Sequence, residues 1–165
     1  MMRDGRPGPP YVGDERAVVD GWLDYHRATL LMKCEGLSDE QLTARPVPTT
    51  SLTLLGLVRH MTDVERGWCL PFLGSAEPPL YATEDDPDGE FDVSDADAAA
   101  DVARFGSETA AIREALRGHD LDEVEVGETR SLSLRWILTH LVEEYARHNG
   151  HADLLREATD GRTGE

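Results

Sequence analysis

The sequence predicts an all-α protein, a bundle of four helices, and three observations carry that expectation. Apolar residues recur at three-to-four spacing through four stretches long enough to be helices. Each stretch opens near a Ser, Thr or Asp able to cap it, and glycine or proline lies close to each end. No segment shows the sustained alternation of a half-buried strand. At 165 residues with 39% hydrophobic content, the chain is the size of one domain and can bury one sizeable core.

Residues 1–13 hold three prolines and three glycines and read as a flexible leader, before one domain over 14–160 and a tail over 161–165. The first helix starts at Asp14 and runs to Gly36, with Val18, Val19, Trp22, His26, Thr29, Leu30 and Lys33 on one face. The segment Ser38 to Leu42 reads as one capped turn, and Pro46 and Pro48 prevent its extension. The second helix begins at Ser51–Thr53 and ends before Pro71, its stripe being Leu54, Leu57, Val58, Met61, Val64 and Trp68.

Between Glu84 and Asp101, nine of eighteen residues are acidic and none is basic, which reads as an exposed loop leading into a helix. That third helix runs from Ser94, with Asp97 in an N-cap arrangement, to Gly118, and carries Val102, Phe105, Ala110, Ile112 and Leu116. Residues 119–130 are polar, with Val124 and Val126 alternating; a short extended piece fits there, but no sheet is expected. The fourth helix starts at Ser131–Ser133 and ends near Thr159, before Gly161. Leu134, Ile137, Leu138, Leu141, Tyr145, Ala152 and Leu155 mark its apolar side. Ser51–His60 can be laid on Ser131–His140: both open Ser-Leu-[Thr/Ser]-Leu and place a histidine at the same depth. The match continues through Met61/Leu141 and Asp63/Glu143, which points to a duplicated helix pair and a pseudo-twofold axis.

Composition narrows the function classes. A net charge of -17 repels phosphate backbones and anionic bilayers, so neither nucleic acid nor membrane is an expected partner. The N-terminus has no apolar stretch behind its arginines, and Cys34 and Cys69 make no disulfide framework; the expected compartment is the cytoplasm. Lys33 is the single lysine against an otherwise arginine-only basic set, a skew typical of a GC-rich coding genome. Neither cysteine lies in a nucleophile motif, and no Gly-rich phosphate loop or Gly-x-Ser-x-Gly elbow occurs.

The chemistry concentrates on the fourth helix in His140, Glu144, His148 and His151. At roughly 100° per residue, Glu144 and His151 lie about 40° and 60° to the same side of His148, within the apolar arc. A carboxylate aimed into a core needs a cation or a strong donor. Glu144 and His148, four residues apart, supply an oxygen and an imidazole nitrogen on adjacent turns. A third ligand from a facing helix would complete a divalent-metal site with an open position, and His60 is the candidate. The same Glu-x-x-x-His spacing also describes a surface salt bridge. His140, Asp63, Trp22 and His26 are further candidates to border a pocket, although His140 equally suits a satisfied buried histidine and His26 simple packing beside Trp22. Trp68 and Trp136 read as core or groove residues, and His119 as a loop residue without a chemical role.

The segments GLVRHMTDVERGW (Gly56 to Trp68) and LRWILTHLVEEYARHNGHADLLRE (Leu134 to Glu157) resemble the actinobacterial branch of the DinB superfamily. That branch is related to mycothiol-dependent maleylpyruvate isomerases and bacillithiol transferases. ERAVVDGWLDYHRATLLMKCEGLSDEQL (Glu15 to Leu42) resembles the same family's first helix and following turn. The resemblance implies an up-down bundle, a zinc- or nickel-class metal and frequent homodimers. It puts the family's metal ligands on His60, Glu144 and His148, following the isomerase-like branch in having glutamate at 144. The family's usual Arg-Gly-Gln after the last ligand is replaced by Asn149-Gly150-His151. His151 is therefore either a partner behind the ligands, able to shuttle a proton, or an added ligand.

The expected function is a metal-dependent thiol S-transferase or isomerase. In it a low-molecular-weight thiol, mycothiol by the composition, is activated as a metal-bound thiolate toward a small electrophile. The alternatives are a metal-dependent hydrolase and a non-catalytic metal- or ligand-binding bundle serving as sensor or interaction protein.

Overall fold

The computed structural model describes residues 5–127 and 130–163. Four long helices carry it: α1 (Glu15–Cys34), α3 (Leu54–Phe72), α4 (Ala98–Ala115) and α5 (Leu134–Asp160), with a one-turn α2 (Asp39–Thr43) after the first. Each starts where a side chain takes an otherwise orphaned amide. Asp14 accepts from Ala17 N, Thr53 from Gly56 N, Asp97 from Ala100 N and Ser133 from Trp136 N. Ser38 and Gln41 form a reciprocal capping box on α2. Gly161, at φ 77°, ends α5 in the left-handed region that glycine tolerates. Thr53 and Ser133 occupy equivalent positions in the internal repeat, so the repeated segments also share their capping geometry.

Side-chain pairs fix the helix directions. Arg135 pairs with Glu15 at the start of α1, and Arg156 reaches the Lys33 and Glu35 carbonyls at its end, so α1 and α5 run parallel. Arg59–Asp101 and Arg66–Glu108 join α3 and α4 in the same sense. His60 meets His148 and Trp68 meets Trp136, so α3 and α5 run opposite. Arg113 pairs with Asp24 and closes the ring between α4 and α1. The all-α bundle expected from the sequence thus has directions up, down, down, up, the pattern a twofold axis across the bundle would give. Residues 73–97 return along α3, which allows α4 to start beside Arg59. Leu23, Leu30, Leu57, Met61, Phe105, Ile137, Leu141 and Tyr145 are buried along the central seam. Among the described residues no helix is long and apolar enough to cross a membrane.

Several local expectations change. α1 buries Leu23, Arg27, Thr29, Leu30, Lys33 and Cys34, so Thr29, Leu30 and Lys33 lie inside as expected, whereas Trp22 is 41% exposed. Pairing with Glu65 lets Arg27 face inward, a position apolar periodicity assigns to solvent. The second long helix runs through Pro71 to Phe72. Pro71 sits in its last turn, where Leu73 N still bonds Cys69 O. Asp97, not Ser94, caps α4, and Ser94 bonds Asp92 instead. Val124 belongs to a two-stranded ribbon, β1 (Val124–Val126) against β2 (Ser131–Ser133), where no sheet is expected from the sequence.

Residues 1–4 of the leader and 164–165 of the tail lie outside the described residues. Arg6 is buried against α1, donates to Thr29 Oγ1 at 2.6 Å and lies over the Tyr25 ring. A Cβ at Gly21 would fall 2.6 Å from Pro9 Cα, so only glycine admits this close approach of residues 9–10 to the helix.

Candidate metal centre

His60 lies in the middle of α3, and Glu144 and His148 lie one turn apart on α5. Because the two helices run opposite and pack together, these three side chains meet. One ligand-capable atom from each lies within 4.8 Å of the others. All three are partly buried, with side chains 22%, 16% and 13% exposed. The His60 and His148 rings stand edge to face with centroids 4.6 Å apart, and His148 Nε2 is 3.5 Å from Glu144 Oε2.

Behind these atoms each imidazole is held by its other nitrogen. His60 Nδ1 is 3.1 Å from Glu90 Oε1, and its ring stacks on Phe91 at 5.3 Å. His148 Nδ1 is 3.3 Å from His151 Nδ1. With Nδ1 occupied in both rings, the nitrogen left for a cation is Nε2. Burial, together with the neighbouring His60 and His151 imidazoles, pushes His148 down to about 4, so this ring is neutral at pH 7. Two imidazoles and one carboxyl group, converging with the rear nitrogens of the rings engaged, form a donor set that suits a divalent ion of the zinc class. The residues present fit the group.

The other sequence candidates take distinct places. His151 contacts His148 from behind and is not among the three converging groups. His140 Nε2 lies 3.4 Å from Glu144 Oε1, and its ring stacks on Trp136 and meets Trp68 edge-on. Glu144 therefore presents one oxygen to each of two histidines. Asp63 accepts the backbone N–H groups of Leu80, Tyr81 and Ala82 at 2.7, 2.9 and 3.1 Å, anchoring the returning connection to α3. It also borders a cavity of about 300 Å³ beside His60, lined as well by Val64, Gly67, Trp68, Glu90 and Arg130.

Trp22 and His26 do not line that cavity. His26 stacks between Trp22 and Tyr145, receives the Asn149 side-chain amide on its carbonyl, and is lowered in pKa by burial and by Arg6. His119 pairs with Glu123 away from the cluster.

Sequence reasoning missed Glu90 and Arg130. Glu90 sits in the acidic run read as exposed, yet is 7% exposed. Its one sequence signal is Phe91, the single aromatic within residues 84–101. Arg130 lies over the Trp68 ring, 4.7 Å from its centroid, a contact with no pattern in the sequence.

Both cysteines are buried, Cys34 and Cys69, and burial pushes the Cys34 thiol up to about 12 and Cys69 higher still. Neither is poised as a nucleophile. In the folded protein at pH 8 a disulfide-exchange reagent is expected to titrate neither thiol within minutes, and both in denaturant. Fast labelling of either in the native state would contradict this placement.

Residues 18–161 match the family model described as Mycothiol-S-transferase, and none of the curated proteins matches the chain.

Proposed function

The chain belongs to the mycothiol-S-transferase family, and on that premise we propose that it joins a mycothiol-type thiol to a small electrophile at a divalent-metal centre of His60, Glu144 and His148. The observation that carries the reading is the convergence of these three side chains from two antiparallel helices, one of which, His60, also borders a cavity large enough for part of a small molecule. A bound divalent cation, zinc first and nickel second, would supply Lewis acidity that favours the deprotonated thiol at neutral pH. Three protein ligands leave a position for a small molecule, the arrangement of catalytic sites and not of closed structural ones.

The chain's own residues supply the rest. Glu144 brings the negative charge that the cation balances, and His140 steadies its second oxygen. His151, on the rear nitrogen of His148, sets which nitrogen of that ring carries the proton; this contact favours orientation over proton shuttling. Trp68 offers a flat apolar wall to the electrophile, with Arg130 over its face. The reaction forms one carbon–sulfur bond: in a substitution the carbon–halogen bond breaks, the halide leaves and the thiol proton passes to solvent, whereas in an addition the epoxide C–O or the alkene π bond breaks and the proton ends on the resulting oxygen or carbon.

The test is a thiol-transfer assay with mycothiol and a panel of halogenated, epoxide and unsaturated electrophiles. It uses zinc-loaded protein and protein stripped by chelator. Adduct formation above the uncatalysed rate in the loaded protein, lost on stripping and restored by zinc, is the expected result. A loaded protein that accelerates no member of the panel would remove the transferase reading.

A further inference from the structure

Glu90 faces the rear nitrogen of His60, and its surroundings are too specific for a loop residue. It is 7% exposed within a run of mostly exposed acidic residues. Oε1 faces His60 Nδ1 at 3.1 Å, and Oε2 is buried without a hydrogen-bond partner among the described residues. Asp101, the other buried acid of that run, is held by Arg59 and by the Tyr81 hydroxyl. Glu90 has no such cation: its ion-pair partner among the described residues is His60. A half-satisfied buried carboxylate is unfavourable by itself, so something must offset it.

The chain around Glu90 is built to keep it there. Gly89–Phe91 is a single 3-10 turn. Phe91 lies on the His60 ring, and a Cβ at Gly56 would come within 3.1 Å of the Phe91 ring, so α3 leaves room for that side chain. On one side the connection is tied by Asp63 to three successive amides, and on the other by Arg59 donating to the Asp92 carbonyl at 2.7 Å. These ties bracket the turn and press its carboxylate onto one imidazole nitrogen.

We propose that Glu90 is the positioning residue of the centre: it accepts the Nδ1–H of His60 and thereby fixes the tautomer whose Nε2 lone pair faces Glu144 and His148. The contact also locks the ring's rotation, and a cation held on Nε2 would in turn offset the half-satisfied carboxylate behind it. This rests on the metal centre proposed above and adds a residue from a third element to it, so the return of residues 73–97 along α3 becomes part of the site.

Two measurements test it. In the metal-free wild type, nitrogen-15 NMR of the imidazoles is expected to find His60 protonated on Nδ1; protonation on Nε2 would overturn the inference. In Glu90→Gln, the amide keeps the shape and loses the charge. Chelator competition is expected to show zinc affinity lower by about 10–100-fold, with a shifted visible spectrum in the cobalt-substituted protein. Equal affinity and an equal cobalt spectrum in the two proteins would overturn the role of Glu90 while leaving the centre intact. A wild type that binds neither zinc nor cobalt would sink the centre itself and this inference with it. Should the glutamine variant fail to fold, the tautomer measurement on the wild type still decides.

Discussion

Replacing Glu65 by alanine is expected to destabilise the chain by about 3–5 kcal/mol, the usual loss when one partner of a buried ion pair is removed. Glu65 is fully buried on α3. Its carboxylate receives Arg27 Nε at 2.7 Å and Arg27 Nη2 at 2.8 Å, a two-pronged pair, and the Tyr145 hydroxyl donates to Oε1 at 2.5 Å. Burial, with Glu65 alongside, raises the Tyr145 phenol well above its ordinary range, so it remains a donor at any working pH. Alanine would leave a buried guanidinium and a buried hydroxyl with no acceptor. In a chain of this size each kcal/mol moves the melting midpoint by roughly 2–4 °C, so a fall of roughly 6–20 °C is expected. Combining Arg27→Met, Glu65→Leu and Tyr145→Phe removes every polar member at once, and most of the stability should return. Urea denaturation that puts Glu65→Ala within about 1 kcal/mol of wild type would show that the cluster is not a structural pin. The cluster joins α1, α3 and α5, and Tyr145 directly follows Glu144 in the chain. Whatever holds Glu65 and Tyr145 together therefore also sets the register in which His60 meets Glu144 and His148.

The same cluster explains where the sequence was readable and where it was not. Most helix starts were legible because capping chemistry is local: Asp14, Ser38, Thr53 and Ser133 each reach an amide three residues on. The face of α5 was legible because Leu134, Leu138, Leu141 and Tyr145 are all buried, as their spacing implies. The face of α1 was legible in part: Thr29, Leu30 and Lys33 are buried as expected, but Trp22 is exposed and the buried set adds an arginine whose partner is 38 residues away. Periodicity counts side chains one at a time and cannot see a cancelled charge. Glu90 escaped for a related reason. Within its acidic run only the adjacent Phe91 hints that this carboxylate folds inward, and its partner lies 30 residues back on α3. The meeting of His60 with Glu144 and His148 came from a resemblance and from the need to neutralise Glu144. Its geometry required the helix directions, which the return of residues 73–97 determines and composition does not reveal.

Replacing His148 by alanine is expected to abolish stoichiometric metal binding while leaving the fold in place. The ring is one of the three converging donors, and its removal leaves one imidazole and one carboxylate, too few for a tight zinc site. The loss of affinity should exceed the roughly 10–100-fold that follows removal of an outer partner, so protein purified with zinc should carry well under one ion per chain. Stability should change little, because alanine is the strongest helix former and the lost ring packs mainly against other polar rings, His60 and His151. Relief of crowding among three imidazoles opposes the loss of their contacts, and thermal melts followed by circular dichroism report the balance. His140→Ala is the matched control: it sits on the same helix face and touches the other oxygen of Glu144, yet lies outside the converging three. That variant should keep its metal. Mass spectrometry of the intact proteins separates the two cases. Zinc retained in His148→Ala, or lost equally from both variants, would mean that the ion, if any, is held elsewhere than between α3 and α5. Zinc lost from His148→Ala alone, together with thiol transfer, would tie activity to that pair of helices and to the register Glu65 maintains.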